Sequence, residues 1–195
     1  MRLTPFIVAR TQLLTSIELH LSDRDPVSVQ SLAGNARELL EGLCRLGGLD
    51  PFAESILLDN PGRGKKWLYG VVNLYRNCFK HLGGTEEERV DDQRTLDQFN
   101  DRVNDFLIYI CVEDYLLLRN ASPVPLQLFQ AWFCALNADL IFVTEDRAVF
   151  TNAFPNIGTL TRLQQKLLAK EAITRYSNDP RLLMDSRTEP LVIDE

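Results

Sequence analysis

Arg76, Asn77, Lys80 and His81 fall within six residues of one another. They bring a guanidinium, an amide, an ammonium and an imidazole into about two helical turns. Cations so placed bind phosphate, and an imidazole beside them moves protons near neutral pH. His81 is one of two histidines in the chain. Lys66 and Asn73 extend the stripe toward the N-terminus. At about 100° per residue, Lys66, Tyr69, Asn73, Arg76, Asn77, Lys80 and His81 share one arc. Trp67, Val71, Val72, Leu74, Tyr75, Cys78, Phe79 and Leu82 share the opposite one. The pattern predicts that the stripe faces away from the core on which its helix packs, with His81 stacked one turn after Asn77. Arg76 and Lys80 are like charges at i,i+4, which is mildly unfavourable unless an anion or a carboxylate joins them. The solvated face of an ordinary amphipathic helix shows the same pattern, so both readings stand on these residues.

A helical scaffold must position the stripe. Thr4-Pro5, Asp25-Pro26, Asp50-Pro51, Asn60-Pro61, Ser122-Pro123 and Asp179-Pro180 each set a capping side chain before a proline, the signature of a helix start. Helices are expected over residues 5–21 and 26–46, briefly after Pro51, and over 65–82, 98–119, 123–136 and 159–176. Val29, Leu32, Ala33, Ala36, Leu39, Leu40 and Leu43 form the apolar face of the second, where Ala33-Gly34 permits close approach of a neighbour. Leu160, Leu163, Leu167 and Ile173 form that of the last. Gly47-Gly48 and Gly83-Gly84 are stops. The polar stretch 85–97 reads as a connection, residues 139–143 as a weak strand candidate, and 177–195 as a loosely held tail. The fold class is all-α, an antiparallel bundle of four to six helices. Residues 1–140 form the bundle, and 141–195 a C-terminal helical extension and tail.

At 195 residues, 45% hydrophobic and 25% charged, the chain has the make-up of an ordinary globular protein. The net charge of −6 and pI near 5.0 argue against broad, non-specific nucleic-acid binding, leaving room for a local basic patch. Cys44, Cys78, Cys111 and Cys134 are dispersed in apolar helical settings and read as core thiols. No apolar run suffices to span a bilayer, and no signal-peptide pattern opens the sequence, so the expected setting is the cytoplasm. No cofactor is implied, and no regular metal-ligand spacing occurs.

Two further features bear on the stripe. Asp114 falls near the centre of the apolar face formed by Val103, Leu107, Ile110, Cys111 and Leu118, where a carboxylate must be paired, hydrogen-bonded or protonated. It reads as a structural ion-pair or capping partner, or as a group that orients a base of the stripe. Glu113, off the face centre, is expected to be more exposed. The acidic run 86–92 is either solvated or a neutraliser of the basic stripe.

Arg76-Asn77-x-x-Lys80-His81 resembles the Arg-polar-x3-His signature of HEPN domains. The surrounding segments extend the likeness to uncharacterised bacterial HEPN-like proteins over roughly residues 7–139. They are Ser31-Leu32-Ala33-Gly34-Asn35-Ala36-Arg37-Glu38-Leu39-Leu40, Lys65-Lys66-Trp67, Asn104-Asp105-Phe106-Leu107 and Phe129-x-x-Trp132-Phe133. HEPN domains are helical bundles, often dimers, and many are metal-independent ribonucleases of toxin–antitoxin and defence systems. The resemblance implies that Arg76 binds the scissile phosphate and His81 acts as general acid or base. Asn77 would position one of them, while Lys80, with Asn73 and Lys66 along the stripe, adds phosphate affinity. Arg76 and His81 are about 140° apart around one helix, which suits a site completed by a second copy at a homodimer interface. Other HEPN-like proteins are non-catalytic nucleotide- or protein-binding modules. The implied partners are therefore a second copy, RNA or a nucleotide, and a protein such as an antitoxin.

Overall fold

A computed structural model describes residues 2–140 and 144–192, with the side chains of 144–146 left aside. Every regular element among the described residues is helical: α1 (Pro5–Leu21), α2 (Pro26–Leu46), α3 (Phe52–Ser55), α4 (Lys65–Val72), α5 (Leu74–Lys80), α6 (Glu86–Asp97), α7 (Arg102–Arg119), α8 (Val124–Leu136), α9 (Thr144–Ala153), α10 (Arg162–Tyr176) and α11 (Pro180–Leu183). No described helix is long and apolar enough to cross a membrane.

Local chemistry sets the helix starts. Thr4 Oγ1 accepts from the Ile7 N–H at 3.2 Å. Asp25 accepts from the N–H groups of Val27 and Ser28, and Asp179 from that of Arg181. Each satisfies donors that the first turn leaves free. Asn60-Pro61 opens only a turn, and α4 begins later, after Gly64. The stretch 85–97 is also not a connection. Thr85 and Glu88 form a reciprocal capping box, and three glutamates in the first turn suit the positive end of the helix dipole. Of the strand candidate 139–143, Ala138–Leu140 forms a 3₁₀ turn and 141–143 lie outside the described residues.

The main core is built by α1, α2, α7 and α8. Leu13, Ile17, Leu40, Ile108, Phe129 and Trp132 are among its members, with Phe154, Ile157 and Ala169 from the later elements joining the same cluster. A smaller cluster of Ala53, Leu68 and Ile110, flanked by Phe52, Trp67 and Tyr69, seats α3 and α4 on α7. The final helix presents a different face from the one its leucines suggest. Leu163 and Leu167 are exposed, whereas Gln165, Lys166 and Ala169 turn inward.

Buried charge explains that rotation. Lys166 Nζ reaches Asp23 at 2.7 Å and Asp101 at 2.6 Å. Arg162 bonds Asp101 through Nε at 3.0 Å and Asp105 through Nη2 at 2.6 Å, beneath a contact to the Trp132 ring. The same Asp105 oxygen lies 2.6 Å from Nε2 of the buried His20. This network ties α10 to α1 and α7.

The tail is held as well. Arg10 donates to the carbonyls of Pro190 and Leu191 at 2.6 and 2.8 Å and to the Tyr115 hydroxyl at 3.0 Å. Glu189 accepts from Tyr115 and Arg119, and Ser122 exchanges backbone bonds with Arg187 and Glu189. The expectation of a loose tail over 177–195 therefore fails for residues 187–191. Its anchor is a buried arginine on α1, remote in sequence.

Arg162→Ala should lower unfolding stability by about 2–3 kcal/mol, because it strips Asp101 and Asp105 of their shared cation. Chemical denaturation measures this, and a loss below about 0.5 kcal/mol would contradict the network's role.

Candidate functional site

The helix that carries the stripe is interrupted. Asn73 sits at φ −95°, ψ 1° between α4 and α5, although the 4-residue hydrogen-bond ladder passes through it, from Asn73 N–H to Tyr69 and from Asn77 N–H to Asn73. The distortion has a partner across the fold: Arg37 Nη2 donates to Asn73 Oδ1 at 2.8 Å. α5 ends at Lys80, and His81 turns extended at φ −125°, ψ 137°. His81 keeps one backbone bond to the Asn77 carbonyl but leaves the helix, so the expected continuous helix to residue 82 stops short.

The stripe does not face uniformly outward. Asn73 and Arg76 point back at α2. The Arg76 stem lies across Gly34, where a Cβ would meet its Cδ at 3.0 Å, and Nη2 donates to Glu38 Oε2 at 2.6 Å. The small residue at 34 thus admits an arginine side chain rather than a helix backbone. Lys66, Asn77, Lys80 and His81 are exposed. On the supposed core side, Val71 is 55% and Leu74 43% exposed. Together with Tyr75, Val103 and Phe106 they line an apolar cleft of about 520 Å³. The inversion has a physical cause. α2 offers this helix a polar surface of Arg37, Glu38 and Glu41, which pairs with Asn73 and Arg76 better than valine or leucine would.

A chain of ion pairs runs from this point. Arg37 Nη1 bonds Glu41, and its guanidinium lies over the Tyr69 ring. Arg45 Nη2 donates to Glu41 at 3.0 Å, Glu54 at 2.5 Å and the Tyr69 hydroxyl at 2.7 Å. Lys65 closes on Glu54 at 2.7 Å. Its hydrogen bond with Lys65 helps hold the Glu54 carboxyl below its ordinary value. Burial, reinforced by Glu41, pushes the Tyr69 hydroxyl up to about 12.

Beyond α5 the loop is tightly made. Asp92 of α6 accepts from the Gly83 N–H at 3.1 Å and from the Cys78 thiol, and Arg89 donates to the Gly83 carbonyl. A Cβ at Gly83 would stand 2.6 Å from that of Glu88. Tyr75, Phe79 and Phe99 pack edge to face across this hairpin. The acidic run therefore builds the turn that follows His81. Cys78 is half-buried there, while Cys44, Cys111 and Cys134 are core thiols. Burial raises Cys44 and Cys134 to about 11.

Asp114 takes the capping role. Its Oδ1 accepts from the Phe52 N–H at 2.7 Å at the start of α3, and among the described residues its buried Oδ2 has no hydrogen-bond partner. Glu113 is, as expected, more exposed than Asp114; it is half-buried against α8 and accepts from Gln130 at 2.7 Å. Among the described residues no group of three His, Cys, Asp or Glu is arranged to hold a metal ion.

Arg37 and Glu38 were present in the sequence but unassigned. Arg37 lies four residues after Ala33 and three before Leu40, on the apolar face of α2. A charge there signals a buried ion pair, and Glu41 at i+4 supplies one partner.

No family model matches the chain, and neither the curated proteins nor the solved structures contain a match.

Burial raises the Asp114 carboxyl from 3.8 to about 6, against the pull of the Phe52 N–H. The folded state thus binds this proton more tightly than the unfolded one. Its contribution to stability is complete below about pH 4 and is lost as pH rises through 6. Asp114→Asn keeps an acceptor for Phe52 and should be about 1–3 kcal/mol more stable than the parent at pH 7, with the gap closing by pH 4. Equal stability at pH 7 would contradict this account.

Proposed function

We propose that this chain is a HEPN-like helical module that acts as a homodimer and cleaves RNA without a metal, through Arg76 and His81. The observation that carries the reading is the contrast between these two groups. Arg76 is held against α2, whereas Lys80 and His81 are exposed where α5 ends. A fixed guanidinium suits charge stabilisation at phosphorus. An exposed imidazole suits proton transfer with a second surface. The cleft lined by Val71, Leu74 and Phe106 provides apolar area for a partner copy.

In the reaction, the ribose 2′-oxygen attacks phosphorus and the bond to the 5′-oxygen breaks, leaving a 2′,3′-cyclic phosphate and a 5′-hydroxyl. His81 removes the 2′-proton or returns one to the leaving oxygen. Arg76 offsets charge on the phosphoryl oxygens. Asn77 orients the imidazole, and Lys80 and Lys66 draw the strand. Asn73, bound to Arg37, supports the arm and leaves the phosphate to the cations.

The pairing of Arg76 with Glu38 favours a second reading, a non-catalytic module that binds a nucleotide or a protein through the same stripe.

RNA incubated with the purified chain in EDTA should be cut to cyclic-phosphate ends, and His81→Ala should slow this by about 10²–10⁴-fold. Cleavage unchanged in the variant would contradict the ribonuclease reading. Absence of cleavage, with nucleotide binding that Arg76→Ala abolishes, would select the second.

A further inference from the structure

Glu38 lies between two guanidiniums. Its Oε2 accepts from Arg76 at 2.6 Å, and its Oε1 stands 3.9 Å from Arg37 Nη2. The arginines come from different elements, and neither depends on Glu38 to seat its stem. Arg37, 2% exposed, is fixed by Glu41 and Asn73. The Arg76 stem is fixed by its seat on Gly34. Among the described residues each has a buried Nε without a hydrogen-bond partner. The carboxylate between them is 44% exposed, so it is the member of the trio that can move into solvent. A cavity of about 270 Å³ adjoins it, lined in part by Arg37, Glu38, Arg45 and Asn73.

We propose that Glu38 is an internal stand-in for an RNA phosphodiester, occupying the anion position between Arg37 and Arg76 and swinging out when a strand binds. The inference rests on the reading of Arg76 as a phosphate contact. Two neighbouring guanidiniums suit the oxygens of one phosphate. A half-exposed carboxylate holds its arginine weakly. A small anion gains little by replacing it. A polyanionic strand that also meets Lys80 and Lys66 gains more, so the device selects strands over free ions.

The test uses a 2′-O-methyl oligoribonucleotide, which has no free 2′-hydroxyl to attack, and reads binding by fluorescence anisotropy at fixed salt. Glu38→Gln and Glu38→Ala should each bind about three- to tenfold more tightly than the parent. Glu171→Gln makes the same charge change at an exposed position of α10 and should give no such gain. Adding Arg76→Ala should erase it. Affinity no better than that of Glu171→Gln, or a gain that survives Arg76→Ala, overturns the proposal. The probe cannot be cleaved, so the two readings separate. A chain that never cuts RNA yet shows the Arg76-dependent gain upholds the role of Glu38. A chain that cuts RNA and shows no gain refutes it.

Discussion

A buried guanidinium on α2 ties down the junction of α4 and α5, the helices that carry the basic stripe. Arg37 is almost wholly removed from solvent, and such a charge needs close partners. Glu41 meets one side and Asn73 the other, with the Tyr69 ring against its face. The helices it secures bury few residues of their own. α4 buries Leu68 alone, and α5 has no buried residue. Apolar burial drives most helix docking, but here polar pairing does much of that work. From Glu41 the pairing continues through Arg45 and Glu54 to Lys65, so α2, α3 and α4 share one electrostatic seam.

The placement of the basic stripe follows from that seam. Because Asn73 is drawn to Arg37, the helix turns Asn73 and Arg76 to α2 and leaves Val71 and Leu74 half exposed. Arg76 is thereby set over Gly34 and against Glu38. His81 escapes, since Asp92 and the Gly83 turn pull the chain out of the helix just after Lys80. In the proposed reaction the two groups have opposite needs. A charge stabiliser benefits from being fixed in advance, and a proton carrier must meet its substrate.

The sequence made the helices legible where local chemistry decides them. Thr4-Pro5 and Asp25-Pro26 start α1 and α2, and a carboxylate on an apolar face marked Asp114 as an ion-pair or capping partner or as a group that orients a base, of which the structure shows the cap. Long-range pairing was harder to read. The distortion at Asn73 depends on an arginine 36 residues away. The face of α10 depends on Lys166 reaching Asp23 and Asp101, which outweighs two leucines. The grip of Arg10 on residues 190 and 191 spans nearly the whole chain. The capping box of Thr85 and Glu88 was local and readable, yet an acidic composition masked it. For the site, residue types and spacing located the stripe, while its orientation was set by α2. Arg37 and Glu38 stood in plain view, and only their neighbours in space give them roles.

Arg37 fixes the junction of α4 with α5, the helix that bears Arg76. Amide hydrogen exchange on Arg37→Met tests it most directly, since methionine keeps much of the side-chain bulk and removes the charge. Amides of residues 65–80 should exchange at least about tenfold faster while the core of α1, α7 and α8 keeps its protection. Unchanged exchange over 65–80, or a uniform loss across all helices, would contradict it.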